Sequence, residues 1–393
     1  MMEQNKLRKI YGALEFSGVF IGVLKKPLFQ AFAEYMQADG VQKRYAYTKF
    51  VSVIYEHGGN LTELVKKLVF EDENIYIKSV ARKETVNPCI IQSAERELSV
   101  FSAFGELKSV DFAEDLGVNE IEIPIFASMP VDMRKAYQER LAGIYKFGYG
   151  IFSSHCMFRL SDEKEIEPIV SADKVSMQSF IGYEAEREQI IQNTRAFLSG
   201  KPSANALLCG DAGTGKSSTV KAVANAFFKD GLRLIELRKD QLKYLPTVMA
   251  KISGNPLKFI IFIDDLAFNR SDDNFSMLKA SLEGSASAKA ENAVIYATSN
   301  RRHIIKESFS DRDGDDVHRN DTMQETLSLS ERFGLVVLFQ RPNKALYLDI
   351  VKELAKKRGL NIDEKELELK AEAFALKRGS RSARCAEQFV DSL

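Results

Sequence analysis

From residue 181 onward, short apolar runs alternate with stretches whose apolar residues recur every three to four positions. The runs fall at 206–209, 232–237, 259–263, 293–297 and 335–339. Ahead of the first, helical spacing sets Ile190, Ile191, Thr194, Phe197 and Leu198 on one face, and Gly200, Lys201, Pro202 and Ser203 end it. Strands that are apolar on both faces, with helices between them, predict a parallel sheet covered on both sides. Beyond Arg341 and Pro342, three further helical stretches are predicted at 344–357, 363–377 and 380–393, the middle one opened by a capping-box-like Asp363 and Glu366.

The first 175 residues carry a different pattern. Up to about residue 70 the spacing is helical with short breaks; after Gly58 and Gly59, for example, Leu61, Leu64, Val65 and Leu68 share a face. Between 75 and 175 the pattern is mixed, with strands predicted at 121–125 and 150–160 and a helix at 133–144. The polar stretch 161–174, rich in Asp, Glu and Lys, is expected to connect two domains. Residues 10–24 are apolar and follow Lys6, Arg8 and Lys9, as a secretion signal would. Glu15 within the stretch and Lys25, Lys26 and Pro27 after it favour a buried N-terminal helix loosened by Gly12, Gly18 and Gly22, and no membrane anchor.

Composition narrows the function classes. A chain of 393 residues with 45% hydrophobic and 28% charged residues is expected to fold as two or more globular domains. Its 55 basic and 55 acidic residues cancel, which removes support for a strongly basic nucleic-acid binder. Cys89, Cys156, Cys209 and Cys385 form no C-x-x-C pair, so neither a zinc site nor a disulfide framework is indicated, and a reducing, cytoplasmic setting fits best. His57 and His155 have no partner at ligand spacing.

The chemistry concentrates in two places. Gly210, Asp211, Ala212, Gly213, Thr214, Gly215, Lys216 and Ser217 match G-x-x-x-x-G-K-S, between a predicted strand and a helical run that starts at Ser218. Glycines let the backbone curl so that its N–H groups face phosphate oxygens; Lys216 reaches the outer phosphates and the Ser217 hydroxyl ligates Mg²⁺. The apolar run 259–263 then ends in Asp264 and Asp265, which a buried strand delivers at the C-terminal edge of the sheet. Asp264 is expected to hold Mg²⁺ and Asp265 to orient or deprotonate the attacking water.

This order of parts resembles the AAA+ ATPases over about residues 178–393. The stretches 181–184, 296–302 and 327–334 look like a bacterial AAA+ group known only as domain of unknown function family 815. The resemblance implies a three-layer α/β P-loop core at 176–341 with a helical lid at 342–393, preceded by a mixed α and α/β N-terminal domain at 1–175. It implies that Gly182 and Tyr183 lie beside adenine, that Asn300 is the sensor-1 polar residue, and that Arg332 is an arginine finger reaching into a neighbouring subunit's site. Arg384 becomes the sensor-2 arginine, with Arg381 as a rival. ATP, ADP and Mg²⁺ are the implied ligands, a homo-oligomer the implied active unit.

Two departures bear on activity. Most members of the superfamily have Asp-Glu where this chain has Asp264 and Asp265, a side chain one methylene shorter, so hydrolysis is expected to be slow. Where protein-threading members carry an aromatic, an apolar residue and Gly, this chain has Tyr244, Leu245 and Pro246. The leading expectation is Mg-ATP hydrolysis coupled to remodelling or loading of an unknown protein or nucleic-acid partner through residues 1–175. The alternative is an ATP-dependent switch with little intrinsic hydrolysis. A GTPase fits less well, because Asn343, Lys344, Ala345 and Leu346 lack the aspartate of N-K-x-D. The acidic segment 308–326 is expected to be a solvated loop rather than a Ca²⁺ or Mg²⁺ site, since its spacing is not that of an EF-hand.

Overall fold

Five apolar residues in a row have no face to offer water, and in the computed structural model Phe259, Ile260, Ile261, Phe262 and Ile263 are all fully buried. Each such side chain contributes roughly 1.5–3 kcal/mol on burial, which forces this strand to the middle of a covered sheet. Residues 6–171, 175–266, 291–300 and 332–393 are described, with Leu278 and Leu282. They divide into two compact units, Met1–Ser154 and His155–Leu393.

The second unit is built on a seven-stranded sheet. Its strands are β1 (Met157–Leu160), β2 (Ile166–Pro168), β3 (Ala206–Gly210), β4 (Leu232–Leu237), β5 (Lys258–Ile263), β6 (Ala293–Ser299) and β7 (Leu335–Phe339). Their order is β2-β1-β4-β5-β6-β3-β7. All neighbouring pairs are parallel except β1 with β2. Helices Glu184–Leu198, Lys216–Ala226 and Leu245–Ile252 accompany the sheet. Ile190, Phe197, Val220 and Val223 pack with Leu208, Ile260 and Tyr296 in one apolar cluster. Helices Lys344–Lys357, Glu364–Arg378 and Ala383–Asp391 form a second cluster around Tyr347, Val351, Ala371 and Phe389. Asp363 caps the middle one, accepting from the N–H groups of Lys365 and Glu366.

The first unit is helical among its described residues, with no named strand. Its core is aromatic: Phe32, Phe50, Phe104 and Phe112 are buried and meet edge-on, tilted or stacked at centroid distances of 4.9–6.3 Å. Three expectations are corrected here. The segment at 121–125 is not a strand: Glu120–Glu122 is a single tight turn, Pro124 has no N–H to give a ladder, and the carbonyls of Pro124 and Ile125 accept from Tyr47 and Tyr55 hydroxyls. The N-terminal apolar stretch is two helices, Lys6–Leu14 and Ile21–Leu24. The break holds because buried Glu97 accepts from the N–H groups of Gly18, Val19 and Phe20. Thirdly, the units divide at Ser154 and His155, ahead of the expected 175. Met157, Phe158 and Arg159 pair with Leu234, Ile235 and Glu236, which makes β1 part of the sheet, and 161–165 turns the chain from β1 into β2.

Candidate functional site

The C-terminal ends of β3, β5 and β6 converge on a cleft of about 830 Å³, within the roughly 300–1,000 Å³ typical of small-molecule sites. β3 feeds the glycine-rich loop. At Gly210 φ is +132° and a Cβ would lie 2.0 Å from the Phe339 carbonyl oxygen of β7, so only glycine leaves the strand here. The loop ends at the first turn of helix Lys216–Ala226, whose open N–H groups and positive dipole end favour an anion.

Lys216 is buried, and its ammonium donates to the Gly210 carbonyl at 3.0 Å, the Asp211 carbonyl at 2.7 Å and Asn300 Oδ1 at 3.0 Å. Burial draws its pKa below the ordinary lysine value, opposed by the charges of Asp211, Asp264 and Asp265. Ser217 Oγ donates to Asp264 Oδ1 at 2.6 Å, and Asn300 Nδ2 donates to Asp265 Oδ1 at 2.7 Å. Lysine, hydroxyl, acidic pair and asparagine thus form one hydrogen-bonded group. Ala212, Gly213, Thr214, Gly215 and Ser218 line the same cleft.

Tyr183 lines the cleft, whereas Gly182, next to it in the chain, is outside the lining. Gly182 has φ +71°, and a Cβ there would come within 2.5 Å of Leu346 in helix Lys344–Lys357. Tyr183 also takes a left-handed backbone, φ +61°; its ring lies 5.5 Å from that of Phe339 and its hydroxyl donates to the Gln340 carbonyl at 2.6 Å. Desolvation pushes the Tyr183 phenol up to about 12. Arg187, a residue without a role in the sequence reading, is buried in the same lining with its guanidinium 4.9 Å above the Phe180 ring.

The terminal helices close on the loop. Arg384 N donates to the Gly213 carbonyl at 3.3 Å, Arg341 N to Asp211 Oδ2 at 3.1 Å, and Arg384 lines the cleft. Arg381 is held elsewhere, in a two-pronged pair with Glu372 at 3.1 and 2.8 Å. Arg332 stands just before β7, half-buried and outside the cleft lining. The acidic segment 308–326, and the residues 301–302 and 327–331 that help carry the family resemblance, lie outside the described residues.

One member of the group escaped the sequence reading. Thr298 Oγ1 donates to Asp264 Oδ1 at 2.5 Å and accepts from Asp265 N at 3.0 Å. The signal was present: Thr298 stands near the C-terminal end of β6, two residues before Asn300.

A core sheet ordered β4-β5-β6-β3-β7, a phosphate-type loop leaving β3 and a helical segment folded back onto that loop are the architecture of AAA+ P-loop proteins. More narrowly, the family model described as protein of unknown function (DUF815) matches residues 153–393, more than half of the chain. The chain belongs to that family. No curated protein matches it. Solved structures that do match include the Thermotoga maritima RuvB Holliday junction branch migration motor, at 13% identity and TM-score 0.34, over 56% of this chain and 72% of that one. A point variant of the same motor matches over the same shares at 13% identity and TM-score 0.35. Likeness at that level says nothing of what this chain acts on. No helix among the described residues is long and apolar enough to cross a membrane.

Proposed function

We propose that this chain binds Mg-ATP and hydrolyses it, as an oligomeric AAA+ ATPase that remodels or loads a macromolecular partner recognised by its N-terminal unit, Met1–Ser154. The observation that carries the reading is the hydrogen-bonded group of Lys216, Ser217, Asp264, Asp265 and Asn300 at the C-terminal ends of parallel strands. Its charged and polar groups converge on one end of the sheet, where electrostatic catalysis would need them.

The donor set suits Mg²⁺. A serine hydroxyl and a carboxylate oxygen 2.6 Å apart are hard oxygen ligands, few enough that phosphate oxygens and water complete the shell. When bound, the metal would neutralise phosphate charge. Ser217 and Asp264 would hold it, and the Lys216 ammonium would exchange backbone carbonyls for β- and γ-phosphate oxygens. Asn300 holds the Asp265 carboxylate where it can orient water. As that water attacks the γ-phosphorus, its proton passes to Asp265 and the bond to the β-phosphate oxygen breaks, leaving ADP. Arg384 would meet phosphate from the lid, and Arg332 would serve the site of a neighbouring subunit.

A second reading has its own observation. Asp265 is short and its Oδ1 is already engaged by Asn300 at 2.7 Å, which favours a slow, switch-like protein that holds ATP. Phosphate release measured across protein concentrations, with Arg332→Ala beside the wild type, separates the two. A rate per subunit that climbs with concentration and collapses in Arg332→Ala supports the oligomeric ATPase. Tightly held ATP that persists unhydrolysed at every concentration sinks hydrolysis and leaves the switch.

A further inference from the structure

We propose that Thr298 is the positioning residue that ties the two acidic side chains together, setting Asp264 for the metal of Mg-ATP and Asp265 for the attacking water. The inference rests on the Mg-ATP reading above and names a residue that reading does not use.

The argument begins with Asp265. Its φ of +49° is left-handed, uncommon for a non-glycine residue, and is constrained by what surrounds it. Thr298 supplies the constraint twice. Its hydroxyl accepts from Asp265 N at 3.0 Å, and its carbonyl accepts from Leu266 N at 2.7 Å. The backbone just after β5 is thereby pinned to β6, and in that conformation the Asp265 carboxylate meets Asn300.

The same hydroxyl serves Asp264. Its Oδ1 receives Thr298 Oγ1 at 2.5 Å, Ser217 Oγ at 2.6 Å and Asp265 N at 3.1 Å. Two hydroxyls therefore hold one carboxylate oxygen, but they differ in freedom. Ser217 stands at the helix start beside the phosphate loop and can turn to a metal. Thr298, only 2% exposed, sits inside the sheet with its hydroxyl engaged on both sides. When Ser217 turns away, Thr298 keeps Asp264 oriented. A threonine that merely filled the sheet would need its methyl and not its hydroxyl.

Thr298→Val keeps the shape and removes the hydroxyl, while Thr298→Ser keeps the hydroxyl and removes the methyl. Calorimetric titration of the full chain with the β,γ-imido analogue of ATP, at graded Mg²⁺ and in EDTA, reads metal coupling without turnover. Removing groups that hydrogen-bond a metal's ligands typically costs about 10- to 100-fold in metal affinity or activity, and Thr298→Val is expected to raise the Mg²⁺ needed for half-maximal binding by that factor. Binding in EDTA should stay unchanged, kcat should fall more than KM rises, and Thr298→Ser should restore each value. A valine variant with the wild-type magnesium requirement overturns the assignment. So does a serine variant as impaired as valine, or a valine variant that loses affinity equally in EDTA. Wild type that binds no analogue under any condition overturns the Mg-ATP reading and this inference with it; binding without turnover leaves the magnesium titration decisive.

Discussion

The two units of this chain bury polar groups for opposite purposes. In the helical unit, the carboxylate of Glu97 accepts from three backbone N–H groups, and the Asn74 amide donates to both Asp72 and the Tyr137 hydroxyl in the interior. These bonds tie the chain's own groups to one another. In the sheet unit, Lys216, Thr298, Asp264 and Asn300 are gathered at one end of the sheet around a cleft, and several of their bonds are ones a phosphate or a metal can replace. Burial of a charge is thus not a sign of function by itself; what separates the units is whether its partners can be exchanged for a ligand's atoms.

Substitutions in the two units should therefore have crossed effects. Lys216→Ala should weaken ATP binding by about 100-fold or more, through loss of charge-assisted bonds to phosphate, while the unit stays folded by circular dichroism. Glu97→Ala leaves three N–H groups without an acceptor and should lower the stability of the helical unit by about 2–3 kcal/mol in urea unfolding, with Mg-ATP affinity intact below the transition. A variant of Glu97 that lost ATP binding while folded would break the comparison.

Smaller effects sharpen it within the sheet unit. Arg384→Ala should weaken ATP binding by about 10-fold, the value of one charged contact. Arg381→Ala, whose guanidinium is bound to Glu372, should leave affinity unchanged. The reverse order would reassign the lid arginine. The smallest effect concerns Tyr183, whose phenol is raised from 10.0 to about 12 by burial. Because the folded-state value lies above the unfolded one, the stability contributed by the neutral, buried phenol is fully present below pH 10 and is lost as pH climbs from there through about 12. Wild type should exceed Tyr183→Phe by about 1 kcal/mol at neutral pH, and the margin should shrink over that window in unfolding titrations.

How much the sequence disclosed follows the same division. Phosphate chemistry dictates residue types at fixed local spacing, so Gly210 to Ser217 could be read directly, and the paired Asp264 and Asp265 followed from an apolar run that had to be a buried strand. Thr298 was missed because its partners are 33 and 34 residues away and a lone threonine in a strand has many ordinary uses. Of the strand expected at 150–160 only Met157–Leu160 is one, since Gly150–Ser153 is a tight 3-10 turn; its partner β4 begins more than 70 residues later, and nothing local announces such a pairing. In the helical unit the break between the first two helices is imposed by Glu97, again from a distance, and the alternation at 121–125 described a tight turn followed by a segment held by tyrosine hydroxyls rather than a sheet.

The central claim is that the group around Lys216 is a Mg-ATP site. Equilibrium binding of ATP to the full chain, with Mg²⁺ and in EDTA, tests it most directly when wild type and Lys216→Ala are measured together. The account predicts saturable binding by wild type that tightens with Mg²⁺, and its loss in Lys216→Ala. Absence of binding in wild type, or binding that survives unchanged in Lys216→Ala, would contradict it.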